Sequence, residues 1–305
     1  MFTRESVATL KVPAGSRVSL REMPTTLPKT GEMKGLEKKV LKRQAEKRLE
    51  KNRAELAEAQ ELLWAGDRYS VLIILQAMDA GGKDGTIKHV MAGVNPQGCR
   101  VWSFKEPCPR ELDHTYLWRY VQVLPERGMI GIFNRSYYED VTAARVHPEL
   151  LDRHKLPPGL RIDADFWHQR YEDITMLERY LVRNGVLLLK FFLHISREEQ
   201  KERFMERLTD PEKQWKFSAS DLRGRRFWDA YMAAYEEAIG ATNTEWAPWY
   251  VIPADHKWIA RTAVATILTT TIRSLDLSFP PVDEVKKALI AQALRELNAE
   301  GNPSR

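Results

Sequence analysis

Apolar positions along this chain follow two rhythms. Within residues 34–64, Leu36, Val40, Leu41, Ala45, Leu49, Leu56, Ala59 and Leu63 recur at roughly helical spacing among many Lys, Arg and Glu. That spacing predicts a long amphipathic helix with a solvated face. From residue 71 short uninterrupted apolar runs take over. They predict strands over 71–77, 101–104, 129–133, 186–195 and 249–253. Between them, polar-apolar periodicity predicts helices over 86–94, 110–124, 165–184, 197–208, 221–238 and 257–275, with Ser196 capping its helix and Asn95-Pro96 and Gly185 acting as stops. Residues 1–30 hold scattered Pro, Gly and Thr without firm period and read as an extended arm, and the tail after Asn298 reads as frayed. Unbroken apolar strands alternating with helices imply a parallel sheet covered on both faces. The fold class is therefore α/β, a three-layer α/β/α sandwich. The division is an arm and long helix over 1–64 and an α/β unit over 65–300, with a pair of charged helices at about 197–228.

The chain has 305 residues, 43% hydrophobic and 29% charged, with formal net charge +5 and pI near 9.1. A mild basic excess permits an anionic ligand without demanding nucleic acid. Cys99 and Cys108 fit no zinc pattern and read as ordinary thiols in a reducing compartment. No stretch resembles a signal peptide, and the apolar run 185–195 is too short to span a bilayer. These features predict a cytoplasmic protein without a membrane partner.

Candidate chemistry starts at Gln-Ala-Met-Asp-Ala-Gly-Gly-Lys-Asp-Gly-Thr-Ile-Lys, residues 76–88, directly after the first strand. Gly81 and Gly82 let backbone approach an anion, and amides at the start of the next helix point at it. Lys83 and Lys88 add positive charge, and Gly85 continues the loop. The nucleotide-binding consensus wants Ser or Thr after the Gly-Lys, but Asp84 stands there, and Asp79 lies inside the loop. Carboxylates beside phosphate make sense with a shared hard cation, so Asp79 is expected to ligate Mg²⁺. Asp84 is expected to cap the helix in its first turn and to border the substrate.

A second cluster, Phe-Asn-Arg-Ser-Tyr-Tyr-Glu-Asp-Val, ends the strand at 133. Arg135 suits a bidentate phosphate grip, Asn134 occupies the place where nucleotide kinases carry an Asp, and Glu139 or Asp140 completes the metal shell. A third stretch, 203–231, is dense in basic residues, including Arg203, Arg207, Lys216 and Arg223, around a break at Thr209-Asp210-Pro211. Two charged helices joined by such a turn suggest a lid that closes over phosphates.

Six segments in order, MDAGGKDGTIKHV, NPQGCRVWSF, FNRSYYEDV, LLLKFFLHIS, DPEKQWKFS and APWYVIPADHKW, resemble the family-2 polyphosphate kinases over about residues 34–275. The resemblance implies a thymidylate-kinase-like fold with a helical lid. It implies transfer of a terminal phosphate between inorganic polyphosphate and a nucleotide with Mg²⁺ or Mn²⁺. It places Asp79 and Lys83 as metal and phosphate residues, Arg135 and Asp140 in the second motif with Asp140 as the second metal ligand, and Arg207 and Lys216 in the lid. The Asn134 form of that motif is similar to the subgroup acting on both AMP and ADP, and guanine nucleotides are further acceptors to test. The family also implies a homodimer or homotetramer, with the 34–64 helix as an interface. Two other readings compete. An ATP-dependent nucleoside monophosphate kinase would keep Ser or Thr after Lys83. A nucleic-acid-binding module would show groove-reading or base-stacking motifs, and none is present.

Overall fold

The computed structural model describes residues 2–27 and 35–300, with the side chains of 216 and 219–221 outside that description. Five strands, β1 (Ser70–Gln76), β2 (Cys99–Ser103), β3 (Ile130–Asn134), β4 (Val186–His194) and β5 (Trp249–Pro253), form one sheet in the order β2-β3-β1-β4-β5. Every pairing between them is parallel. β1 lies at the centre and all seven of its residues are buried, which is why its sequence is apolar without alternation. β2 is an edge strand and leaves Val101 and Trp102 exposed.

The helices are α1 (Arg4–Ala8), α2 (Lys38–Gly66), α3 (Lys83–Val90), α4 (Pro109–Leu112), α5 (Trp118–Val121), α6 (Ala143–Val146), α7 (Ala164–Arg183), α8 (Arg197–Thr209), α9 (Ala219–Arg226), α10 (Trp228–Thr242), α11 (Lys257–Arg273) and α12 (Glu284–Glu300). α2, α3 and α11 pack together as one group, and α6, α7 and α10 as another. α11 and α7 both reach β4, so each group docks on the sheet. Ser196 caps α8 by accepting from the Glu199 N–H at 3.1 Å, as the sequence predicts. Among the described residues no helix is long and apolar enough to cross a membrane.

Several expectations change. The N-terminal arm is part of the core: Phe2, Val7, Val12, Val18 and Leu20 are buried. Its backbone docks on β5, with Val12 N–H donating to Trp249 O at 2.9 Å and Val251 N–H to Leu10 O at 3.0 Å. Short contacts without period hid this from the sequence. The apolar face of α2 is covered within the chain. Leu41, Ala45, Leu49 and Leu56 are buried, and the helix packs on α11 of the same chain. Asn52 Nδ2 donates to Thr266 Oγ1 at 2.7 Å within that contact. The helix predicted over 110–124 is two single turns, α4 and α5, because Asp113 pairs with Lys155 and the Tyr116 hydroxyl donates to the Arg170 carbonyl at 3.2 Å. Tertiary contacts here outweigh helical propensity. The helix predicted over 221–238 breaks at Phe227, whose ring meets His147 at 4.8 Å. α12 has no counterpart among the predicted elements. It runs to Glu300, and most of the tail read as frayed lies outside the described residues.

Candidate active site

The register of the sheet brings the two sequence clusters together. Leu75 near the end of β1 pairs with Asn134 at the end of β3, and Arg135 N–H donates to Leu75 O at 3.1 Å. Both clusters therefore leave the same carboxyl edge side by side, where ligands of open parallel sheets bind.

The loop from β1 to α3 needs its glycines for different reasons. Gly82, the residue before α3, has φ +97°, a left-handed conformation that costs L side chains. At Gly81 a Cβ would lie 2.5 Å from the Ala77 Cβ and 2.7 Å from the Met78 carbonyl oxygen. Ala80 takes φ +60° without being glycine, so the surroundings must hold the loop. They do so from α8. Gln200 Nε2 donates to Asp79 O at 2.9 Å, and Arg203 donates to Ala80 O at 3.0 Å. The Arg203 guanidinium also donates to Glu199 Oε1 at 2.7 Å and to Ala254 O at 2.5 Å. Arg203 is buried with its donors directed at protein oxygens, so the structure gives it loop support where the sequence predicted substrate contact. Gln200 went unpredicted because a lone Gln on a charged helix carries no pattern.

Lys83 opens α3, and its ammonium donates to Ala77 O at 2.9 Å. The residue keeps partial exposure, but the ammonium itself is desolvated. Burial, then the Arg135 charge, bring its pKa down to about 8, against the opposing pull of Asp79, Glu139 and Asp84. Those four charges and Lys83 form the centre of the site. Arg135 Nη2 meets Asp79 Oδ1 at 3.0 Å. Gln76, with its amide oriented to satisfy both neighbours, donates to Glu139 Oε1 at 2.9 Å. Asn134 Nδ2 donates to Asp84 Oδ1 at 2.7 Å and lies 3.3 Å from Ser103 Oγ. Asp84 stands in the first turn of α3 as expected, but Gly82 is the N-cap and the Asp84 side chain caps nothing. Gly85 follows it, where a Cβ would reach Arg261 at 3.4 Å. Lys88 is exposed further along α3.

Asp140 takes a different place. Its Oδ2 accepts from the Tyr120 hydroxyl at 3.1 Å and its Oδ1 lies 3.8 Å from His154 Nε2. Burial pushes its carboxyl up to about 7, partly offset by Arg170 and the Tyr120 hydrogen bond. Asp140, expected as the second metal ligand, stands at this second wall, and it is its neighbour Glu139, expected at the substrate, that reaches the loop around Lys83.

A cleft of about 540 Å³ connects the two walls. Asp79, Arg135 and Glu139 line its base, Phe104, Tyr116, Arg119, Tyr120, Asp140 and His154 one side, and Arg223, Gly224, Phe227 and Tyr231 the other. α9 closes over the loop there: a Cβ on Gly224 would lie 3.4 Å from Asp79 Oδ2. Arg223 borders the cleft as an exposed side chain. Arg207 sits on α8 with its guanidinium 5.6 Å from the Phe204 ring centre. Lys216 ends a short turn, Gln214–Lys216, and its side chain lies outside the described residues. The aromatic wall escaped the sequence because Phe104, Tyr116, Arg119, Tyr120 and His154 sit in loops and short turns on either side of β3, without period.

A lysine-bearing loop at the carboxyl edge of a central parallel strand, under a basic helical flap, defines a kinase-like phosphoryl-group transferase. The Asp in place of a hydroxyl after Lys83 separates it from ordinary nucleotide-binding loops. Comparison with known proteins names the group: the model of the family described as Polyphosphate kinase 2 matches residues 39–279, and the chain belongs to that family. It is 45% identical over 287 residues to an ADP-polyphosphate phosphotransferase of Rhodopseudomonas palustris, covering 94% of this chain and 96% of that one. It is 47% identical over 237 residues to an AMP/ADP-polyphosphate phosphotransferase of Meiothermus ruber, covering 78% and 84%. The crystal structure of Polyphosphate Kinase 2 from Arthrobacter aurescens TC1 superposes with TM-score 0.83 at 37% identity, over 96% of this chain and 98% of that one. The chain is an enzyme, a phosphotransferase.

Proposed function

We propose that this enzyme moves the terminal phosphate of inorganic polyphosphate to nucleoside mono- and diphosphates, AMP and ADP foremost, and runs the reaction in reverse. The observation that carries this reading is the acid-rich loop itself: Asp84 stands after Lys83 where a nucleotide kinase has a neutral hydroxyl, and Asp79 adds a second carboxylate inside the loop. Loop amides and Lys83 hold phosphate oxygens, and Arg135, steadied by Asp79, faces the cleft where donor and acceptor meet. Transfer then needs in-line placement and neutralisation of spreading charge, with no covalent intermediate.

The donor set suits a hard divalent cation such as Mg²⁺ or Mn²⁺. Among the described residues no three His, Cys, Asp or Glu side chains converge to hold an ion unaided. Mg²⁺ commonly takes one or two carboxylates plus substrate phosphates, and Asp79 with Glu139 supply that number beside Lys83. Held by those carboxylates, such an ion would supply positive charge against that of the phosphates. Asp140 and the aromatic wall then serve the nucleoside end of the cleft. Donor exchange tests this reading: polyphosphate as sole donor should support ATP formation from ADP, whereas ATP as sole donor, with polyphosphate absent, should leave AMP unphosphorylated. Turnover with ATP but none with polyphosphate would give the protein to the nucleoside monophosphate kinases.

A further inference from the structure

Directly beneath the turn that carries Glu139 and Asp140 lies a polar network with no access to solvent. Lys190 on β4 and Glu178 on α7 pair at 2.6 Å, and both side chains are fully buried. Lys190 Nζ also donates to Thr242 O at 2.8 Å. The hydroxyls of Tyr137 and Tyr138 donate to Glu178 Oε1 at 3.0 and 2.8 Å. Burying such a pair carries a large desolvation cost for each ion, and an apolar pair of similar size is often as stable. Stability alone therefore does not account for it.

The network does have one geometric consequence. Tyr137 and Tyr138 follow Arg135 by two and three residues, and Glu139 follows them. Arg135 has φ +65°, a strained conformation for a side-chain-bearing residue, so its neighbours must be held. The turn is gripped elsewhere too: Thr142 Oγ1 donates to Tyr138 O at 2.7 Å and Arg170 to Asp140 O at 2.8 Å. Glu178 adds the grip from below, and its chemistry is specific. A carboxylate offers only acceptors, so it takes both phenol protons and the ammonium; a glutamine would bring donors against donors.

We infer that Glu178, with Lys190, is a positioning residue for phosphoryl transfer, which fixes the Tyr137–Tyr138 turn and through it the settings of Arg135 and Glu139 over the loop. It rests on the roles given above to Arg135 and Glu139. Displacement of a catalytic group by about 1 Å can cost on the order of 10²-fold in rate, so a loosened turn should act on kcat.

The test removes the two hydroxyls and leaves the ion pair: Tyr137→Phe with Tyr138→Phe. Kinetics with polyphosphate and ADP and thermal melting are measured together. We expect kcat to fall about tenfold or more while both KM values stay within about threefold, the mark of an interaction felt in the transition state. A second variant adds Glu178→Leu and Lys190→Met to the two Phe substitutions, so that the pair becomes apolar and no phenol is left without its acceptor. It should melt near the parent temperature yet keep the low kcat. Parental kcat in the double-Phe variant overturns the inference, as does recovery of kcat together with stability in the apolar variant. Arg135→Ala, run alongside, separates the two levels: if it too keeps parental kcat, the catalytic reading of the turn has failed; if it alone is inactive, only the inference about Glu178 has.

Discussion

Asn134→Asp is the substitution whose consequence follows most closely from the geometry. Asn134 Nδ2 donates to Asp84 Oδ1 at 2.7 Å. The substitution keeps the shape, removes that donor and sets one carboxylate against another. Two like charges about 4 Å apart repel by about 1 kcal/mol in water and about 4 kcal/mol at the effective dielectric of a protein surface. The pair is partly exposed, so a cost between those limits is expected, plus about 1 kcal/mol for the lost hydrogen bond. Part of it will be relieved by rotation or by a shared proton, and both move Asp84 at the start of α3. A substrate that brings more phosphate oxygens to the metal can absorb the extra negative charge by sharing the cation; AMP brings fewer than ADP. We therefore expect AMP use to suffer more, with the ratio of kcat/KM for AMP to that for ADP falling about tenfold, equivalent to about 1.4 kcal/mol. The assay runs both acceptors on one polyphosphate preparation at fixed Mg²⁺. Adding Asp84→Asn to the variant restores a neutral partner and should recover most of the ratio. Equal losses on the two nucleotides, or no recovery in the double variant, would refute the reasoning.

Further outcomes follow from the same contacts. Gly81→Ala should destabilise the loop and abolish most transfer, since the added methyl would fall 2.5 Å from the Ala77 Cβ; native melting and full activity would mean that the loop can shift. Lys83 is charged below its pKa of about 8 and neutral above it, and phosphate needs the charged form. So kcat/KM for polyphosphate should fall as pH rises through about 8, and Lys83→Arg, which stays charged, should carry whatever activity remains to higher pH. Glu139→Gln should raise the Mg²⁺ concentration needed for half-maximal rate more than Asp140→Asn does, measured by metal titration at saturating substrates. Arg207→Ala should flatten the slope of log KM for polyphosphate against log salt, whereas Arg203→Ala should lower melting and kcat with the slope unchanged, because fewer bound phosphates release fewer counterions.

How much of this was legible in the sequence depended on whether a feature leaves a period. The strands did, because burial on both faces forces an unbroken apolar run; β5 falls at its predicted residues. The loop and the Asn134–Asp140 cluster were legible by residue type, and parallel pairing of β1 with β3 explains their meeting. Features built from single side-chain contacts were not legible. Arg203 looks like any lid arginine until its guanidinium is seen against Ala80 and Ala254. Glu139 and Asp140 are adjacent in sequence, and only the turn's conformation sends one to Lys83 and the other to Tyr120. The arm over 2–27 gave no period because it docks through backbone bonds and isolated apolar residues.

The central claim is that an acid-bearing loop around Lys83 serves an all-phosphate donor. Its most direct test is ATP formation from ADP with polyphosphate as sole donor, by the parent enzyme and by Asp79→Asn and Lys83→Ala. The parent should make ATP, and each variant, folded by circular dichroism, should lose about 10²-fold or more in kcat/KM. Contradiction would be a folded Asp79→Asn or Lys83→Ala enzyme that keeps more than about half of the parent's rate.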